Sequence, residues 1–356
     1  MSHLDSVKNK LLEGSALLVT SEVNQRWLTG FAYTDGYVLV TLEKSYLITD
    51  FRYIEAAQAK ADKGFEIVVP DMTMREYIAK ILSNGGISKL LVEEATLSVS
   101  AFEGFRNAFE GVELVLGGSA MIDGLRRFKD SGEIEKMKAA QALTDAAFEH
   151  ILGYITPDRT EIDVALELEF YMRAHGAEST AFETIAVSGS ASSMPHGVPR
   201  PVKLEKGFLT MDFGAKVDGY CSDMTRTVVI GKADDEMKRL YSTVLEAQTK
   251  ALDALYSGER ERLRLDTIAR DIIDNAGYKG CFGHSLGHGV GLYIHEAPGL
   301  SQRAPAGAML QVGDVVTFEP GIYIPGKYGC RIEDMVAVTE NGIFNFTQSN
   351  KKLIEI

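Results

Sequence analysis

Along the first third of the chain, short apolar runs trade places with amphipathic stretches. "ALLVTS", "YVLVTL", "SYLITD", "FEIVVP", "KLLVEE" and "VELVLG" are dense in aliphatic and β-branched residues and read as strands. Between them, "RYIEAAQAKADK", "MREYIAKILSNG" and "SVSAFEGFRNAFEG" repeat apolar residues at helical spacing. Strands alternating with helices in this way predict an α/β domain whose sheet is largely covered. The pattern stops near Gly124. The stretch "DGLRRFKDSGEIE" that follows is charged and poor in apolar residues, which places a domain boundary between residues 1–125 and 126–356.

Beyond the boundary, a long helical pattern runs from Glu133 to about Ile155. A turn follows at "TPDRTEID", where Thr160 and Asp163 form a short-acid version of the capping box ahead of a second helix, "VALELEFYMRAHG", that stops at a glycine. From Phe182 onward the texture changes to β-rich runs broken by Gly, Pro and Asp-Gly turns, with helices near 235–256 and 263–276. This second domain is therefore α+β.

Bulk composition narrows the partners. The 356 residues are 45% hydrophobic and 24% charged, the balance of a folded globular protein rather than a disordered or fibrous one. Against 50 Asp and Glu stand 37 Lys and Arg, a formal charge of −13, which disfavours a phosphate backbone or an anionic membrane surface. Nucleic acid is not an expected partner, and no apolar run reaches the roughly 18 residues of a membrane span. The N-terminus "MSHLDSVKNKLLEG" lacks the apolar core of a signal peptide, so a cytoplasmic location is expected. Cys221, Cys281 and Cys330 show no Cys-x-x-Cys spacing and read as small buried hydrophobes in a reducing compartment.

Candidate chemistry concentrates in the second domain. "FLTMDFGAKVDGYCSDMTRTVVIG" reads as two strands joined at Asp218-Gly219, a dipeptide suited to a two-residue hairpin turn. With that turn Gly214 faces Asp223, and Asp212 shares their face one diagonal step away, roughly 7 Å between backbones. Two bare carboxylates so placed repel, and a bound cation relieves them; an exposed strand position or a turn cap for one Asp is the other reading. "GHSLGHGVGLYIHEAPG" brings together His284, His288 and His295, and its glycines make a helix costly, so extended or looping backbone is expected there. Imidazoles in that setting suit metal binding or proton transfer. Downstream, Glu319 closes an apolar strand before Pro-Gly, and Glu333 with Asp334 lies in a second strand pattern, "CRIEDMVAV". A carboxylate on an apolar strand needs a partner, either a metal or Arg331.

In order along the chain, two Asp eleven apart in "MDFGAKVDGYCSD", then "HSLGHGVGLYIHEAP", "TFEPGIY" and "RIED", resemble the pita-bread metallopeptidases, specifically the Xaa-Pro branch of prolidase and aminopeptidase P. "WLTGF", "ITDFRYIEAA", "LRRFKDSGEIEKM", "FETIAVSG" and "MPHGVP" extend the resemblance over nearly the whole chain, while "FAYTDGYV" departs from the family's usual small-residue loop. The resemblance implies a creatinase-like α/β N-terminal domain and an α+β pita-bread catalytic domain. It further implies that Asp212, Asp223, His288, Glu319 and Glu333 bind two divalent metals, with Asp223 and Glu333 bridging. Manganese or cobalt is favoured by so oxygen-rich a set, with zinc as an alternative.

By the same resemblance, a metal-bridging hydroxide attacks the Xaa-Pro bond, Glu319 serves as general base, and His196 and His295 flank the substrate. His284 would stand beside the proline pocket, and Arg331 with Tyr323 would orient ligand carboxylates. Proline-containing di- or oligopeptides are the implied substrates, and a homodimer the implied assembly. Two alternatives are a metal-free creatinase-like amidinohydrolase and a non-enzymatic pita-bread binding protein. Such relatives have lost metal ligands, whereas all five positions here hold Asp, His or Glu.

Overall fold

The structure is a computed structural model that describes residues 2–356 and divides into two compact units, one ending at Arg126 and the other starting at Arg127. In the first unit, six strands form one mixed sheet: β1 (Ser15–Val19), β2 (Tyr37–Thr41), β3 (Ser45–Ile48), β4 (Glu66–Val68), β5 (Lys89–Val92) and β6 (Glu113–Leu116), in the spatial order β4-β3-β2-β1-β5-β6. Every residue of β1 is buried while the edge strand β6 is only half covered, as expected for a sheet flanked on both faces. The flanking helices are α1 (His3–Lys8), α2 (Glu22–Thr29), α3 (Ile54–Lys60), α4 (Met74–Asn84), α5 (Val99–Ala108) and α6 (Gly118–Arg126).

All six strands read from the sequence are present, but α1, α2 and α6 have no counterpart in that reading. For α2 the reason is physical: its buried face carries Asn24, Gln25 and Thr29 beside Trp27 and Leu28, so apolar periodicity does not reveal it. Asn24 donates to the buried Glu93 carboxylate (2.6 Å) and Gln25 Nε2 to the Val19 and Gly36 carbonyls, while the buried Gln25 Oε1 has no partner.

The second unit opens with two helices, α7 (Ser131–Tyr154) and α8 (Glu161–Ala174), and the Thr160–Asp163 capping box forms at the start of α8. There follow β7 (Ser179–Thr180), β8 (Ile185–Ser188), β9 (Gly207–Phe213), β10 (Ala215–Val217), β11 (Tyr220–Cys221), β12 (Met224–Ile230), α9 (Asp235–Tyr256) and α10 (Arg262–Ile273). The chain ends with β13 (Gly287–Gly289), β14 (Glu296–Leu300), β15 (Val315–Phe318), β16 (Gly321–Ile324), β17 (Tyr328–Arg331), β18 (Asp334–Thr339) and β19 (Gly342–Asn345). The principal sheets are β12-β9-β8 and β14-β13-β15-β18-β19. Among the described residues, no helix is long and apolar enough to cross a membrane.

Strand parity decides which side chains meet. Leu209, Met211 and Phe213 of β9 join a core with Phe148 of α7 and Leu168 of α8, and Val316 and Phe318 of β15 join another with Val244 of α9 and Leu265 of α10. Asp212, of opposite parity to Met211 and Phe213, turns away from the α7/α8 core. Its pairing partner Thr225 on β12 does the same. The polar residues therefore collect on the face of this sheet opposite the α7/α8 core.

One expectation is corrected here. "CRIEDMVAV" is not a single strand: Arg331 ends β17, paired with Gly321, while Asp334 starts β18, paired with Phe318. The chain changes sheets at Ile332-Glu333, and that crossing is what delivers Glu333 to the region of Asp212 and Asp223.

Candidate metal centre

Four carboxylates and an imidazole from five separate segments converge in the second unit. The hairpin has the register its spacing predicts, Val217 opposite Tyr220 and Asp212 opposite Thr225, which puts Gly214 opposite Asp223. Asp218 (φ 47°) and Gly219 (φ 85°) make the turn, both in the left-handed region that such a two-residue loop demands. Asp212 and Asp223 thus share one face. His288 comes from β13, where the glycine-rich segment is extended; a Cβ at Gly287 would collide with the Thr317 carbonyl, and one at Gly289 with Ala297. Only glycine lets these strands approach so closely. Glu319 follows β15 directly, and Glu333 sits at the sheet crossing.

Ligand atoms of Asp223, His288 and Glu333 all lie within 4.8 Å of one another. His288 Nε2 is 3.5 Å from Asp223 Oδ2 and 3.4 Å from Glu319 Oε1, while its Nδ1 donates to the Gly289 carbonyl at 3.1 Å. That carbonyl can only accept, so Nδ1 carries the proton and the Nε2 lone pair faces two carboxylate oxygens. Burial also pushes the His288 pKa down to about 4, so the imidazole itself carries no second proton at neutral pH. A cation fits between that lone pair and the two oxygens. Asp212 points the same way: its Oδ2 accepts from Arg331 Nη2 at 2.6 Å, and its buried Oδ1 has no hydrogen-bond partner.

The bare cluster is electrostatically unfavourable. Burial first, then the charges of Glu333, Asp212 and Glu319, drive the Asp223 carboxyl well above its ordinary range. Glu333 is raised likewise by burial and by Glu319 and Asp212, and burial carries Glu319 to about 8. A single buried arginine cannot neutralise four acids. Two divalent cations can, and an oxygen-rich set with one imidazole suits hard or borderline ions rather than a thiolate zinc site.

Outer contacts hold the acids in place. Arg331 donates to Tyr323 Oη (2.8 Å) and Thr225 Oγ1 (2.9 Å) as well as to Asp212, and Thr225 Oγ1 donates to Glu333 Oε2 at 2.7 Å. Thr317 Oγ1 donates to Glu319 Oε1 at 3.3 Å. His284 donates from Nδ1 to the Ser285 carbonyl, and its Nε2 accepts the Tyr323 hydroxyl at 3.0 Å. Burial and the nearby Arg331 charge bring His284 to about 4, so it is neutral in this role. Thr225 and Thr317 escaped the sequence reading. Their parity was the available signal, since each lies two residues from a candidate ligand acid, Asp223 and Glu319, on the same strand path.

A cavity of about 750 Å³ opens over the cluster. His196, His284, His295 and Arg331 line it, and so do Ile162 and Leu166 of α8, Phe182, Ile185 and Val198. The His295 ring meets the His288 ring edge to face at 4.3 Å. Every site residue implied by the family resemblance except Tyr323 lines this cavity, and Tyr323 touches it through His284 and Arg331; Asp334, also noted in the sequence, instead pairs with Arg226 and Lys351.

The perturbed groups give a signed pH dependence for the metal-free protein. His284 and His288, lowered to about 4, are neutral when folded but protonated when unfolded between pH 4 and 6.5, so their contribution makes stability rise with pH there. Glu319, raised to about 8, stays protonated when folded but ionises when unfolded above about pH 4.5, so its contribution makes stability fall until pH 8. Below 6.5 the two oppose each other; above it only the carboxyl term remains. Thermal unfolding of chelated protein is expected to show stability falling from pH 6.5 to 8 by roughly 1.4 kcal/mol per pH unit for each retained proton, with the slope removed by added Mn2+. A flat or rising profile in chelator would contradict the crowding of these acids.

Residues 135–340 match metallopeptidase family M24, and residues 10–128 match the creatinase/prolidase N-terminal domain. The Xaa-Pro dipeptidase of Pyrococcus furiosus is 37% identical over 340 residues, 95% of this chain and 94% of that protein. Among solved structures, the Xaa-Pro dipeptidase from Bacillus anthracis superimposes with a TM-score of 0.93 at 41% identity, covering 99% of each chain. An X-Pro aminopeptidase from Thermotoga maritima gives 0.91 at 34% identity, covering 98% of this chain and 100% of that one.

Proposed function

Since the chain belongs to metallopeptidase family M24, we propose that it hydrolyses the Xaa-Pro bond of di- or oligopeptides at a dinuclear centre. Asp212, Asp223, His288, Glu319 and Glu333 would hold the ions, Asp223 and Glu333 being the two acids placed to serve both. The observation that carries this reading is the His288 Nε2 lone pair directed at the Asp223 and Glu319 carboxylates, beside the orphaned Asp212 Oδ1. Manganese or cobalt is the expected metal.

When bound, such a pair of ions lowers the pKa of a water and polarises the scissile carbonyl. The chain's own residues do the rest. Glu319 takes the proton of the attacking water and passes it toward the departing proline nitrogen. His196 and His295, both on the cavity wall, hydrogen-bond the carbonyl oxygen as it becomes an oxyanion. Arg331, anchored by Tyr323 and Thr225, fixes Asp212 so that only Oδ1 faces inward. Apolar Ile162, Leu166, Phe182 and Val198 on the cavity wall offer a surface to a rigid pyrrolidine, which has no amide hydrogen to recognise. A homodimer in solution is part of this proposal, and light scattering at working concentration tests it; a monomer would remove it.

Hydrolysis of Ala-Pro, Leu-Pro, Ala-Ala and Arg-Pro-Pro by Mn2+-loaded protein tests the substrate assignment. Cleavage of Ala-Pro and Leu-Pro at least about tenfold faster than Ala-Ala is expected. Release of arginine from the tripeptide would mark aminopeptidase activity, and its absence would mark a dipeptidase. Faster cleavage of Ala-Ala than of any proline bond would overturn the Xaa-Pro reading.

A further inference from the structure

The segment from Gly189 to Pro199 forms one wall of the cavity through Pro195, His196, Gly197, Val198 and Pro199. Nothing holds the His196 ring itself: it is exposed and makes no hydrogen bond among the described residues. Its place is therefore set by the main chain that carries it. What sets that main chain is Glu161, the first residue of α8, fully buried beneath the loop.

The Glu161 carboxylate accepts five hydrogen bonds. Its Oε1 takes the Ser188 amide (2.7 Å), the Ser188 hydroxyl (2.8 Å) and Arg200 Nη2 (2.7 Å), and its Oε2 takes the Arg200 amide (2.9 Å) and Arg200 Nε (2.9 Å). Ser188 is the residue at which the chain enters the loop and Arg200 the one at which it leaves. A single carboxylate thus ties both ends. Burial opposes its charge, but the Arg200 fork and the Ser188 donors outweigh burial and keep its pKa below the usual value, so the clamp is ionic at neutral pH. The helix N-terminus adds to the same preference. Ser192 anchors the interior of the loop, donating to the Gly189 carbonyl and accepting the Gly329 amide at 3.0 Å, and Arg331 Nη1 donates to the Pro195 carbonyl at 3.3 Å.

We propose that Glu161 and Arg200 are positioning residues for the hydrolytic reaction: their ion pair fixes the loop so that His196 meets the scissile carbonyl, although neither residue touches substrate. The proposal rests on the placement of His196 at the reacting bond given above. A displacement of about 1 Å at a catalytic group costs up to 10²-fold in rate, which sets the scale of the effect.

The test is a double-mutant cycle on Mn2+-loaded protein, with bound metal counted in every variant. Glu161→Gln is expected to lower kcat for Ala-Pro by about 10- to 100-fold while both ions stay bound. His196→Ala lowers kcat by itself, and the double variant matches His196→Ala alone, because the clamp acts only through that imidazole. Ser188→Ala, a milder change, repeats the pattern at smaller amplitude if Glu161→Gln fails to fold, and Arg200→Lys, which keeps the charge but loses the fork, falls between wild type and Glu161→Gln. Multiplicative effects in the double variant, loss of metal in the single one, or wild-type kcat in Glu161→Gln would each overturn the clamp. Wild-type kcat in His196→Ala would overturn the role of His196 and the clamp with it, whereas additive losses would remove the clamp alone.

Discussion

Glu319→Gln is expected to lower kcat for Ala-Pro by at least about 10³-fold with far less change in KM, measured under saturating Mn2+. The glutamine keeps the shape of the side chain but loses the charge that faces His288 Nε2 at 3.4 Å and the basicity that the proposed role requires. General-base catalysis alone is worth roughly 10²–10⁴. Substrate contacts elsewhere in the cavity survive, so KM changes little. Glu319 is also held in one place, its backbone amide donating to the Leu286 carbonyl and its side chain steadied by Thr317, so the variant should not shift the backbone around it. A variant with wild-type kcat would end the assignment of Glu319 as base.

Asp223→Asn is expected to cut activity comparably, by at least about 10³-fold at micromolar Mn2+, but with an opposite effect on the metal-free fold. Asp223 shares a 4.8 Å cluster with His288 and Glu333, so losing its charge weakens the hold on both ions that it is proposed to bridge. The same charge is a liability without metal, since burial and three neighbouring acids push its pKa well up. Removing it relieves repulsion. The chelated variant should therefore unfold at a higher temperature than chelated wild type at pH 8, by ~2–4 °C for each kcal/mol relieved. Metal analysis, kcat and thermal unfolding in chelator check the three parts, and a metal-free variant less stable than metal-free wild type would contradict the electrostatic account. Sites built for charge trade stability for function in this way.

Much of the site was legible because its residue types are costly anywhere else. Parity alone placed Asp212 and Asp223 on one face, and the hairpin register bears that out. The glycines around His288 argued for extended backbone, and the close approach of Thr317 and Ala297 is the reason. The family resemblance and the creatinase-like plus catalytic two-domain fold agree with the family matches. What stayed hidden follows two rules. Helix α2 buries amides instead of aliphatic residues, so its pattern resembles a loop. The break between Arg331 and Asp334 is invisible in "CRIEDMVAV", because a change of sheet is decided by which neighbours the strand finds and leaves no local mark on propensity. The Glu161–Arg200 clamp was likewise unreadable, since it pairs two residues from separate segments of a kind usually found on the surface.

The central claim is that two divalent ions held by these five residues are required for hydrolysis. The most direct test strips the protein with a chelator, titrates Mn2+ back in steps, and measures bound metal and Ala-Pro hydrolysis on the same samples. The account predicts no turnover in the stripped protein and a rise in activity that is complete only when two ions per chain are bound. Full turnover in protein shown to hold no metal would contradict it.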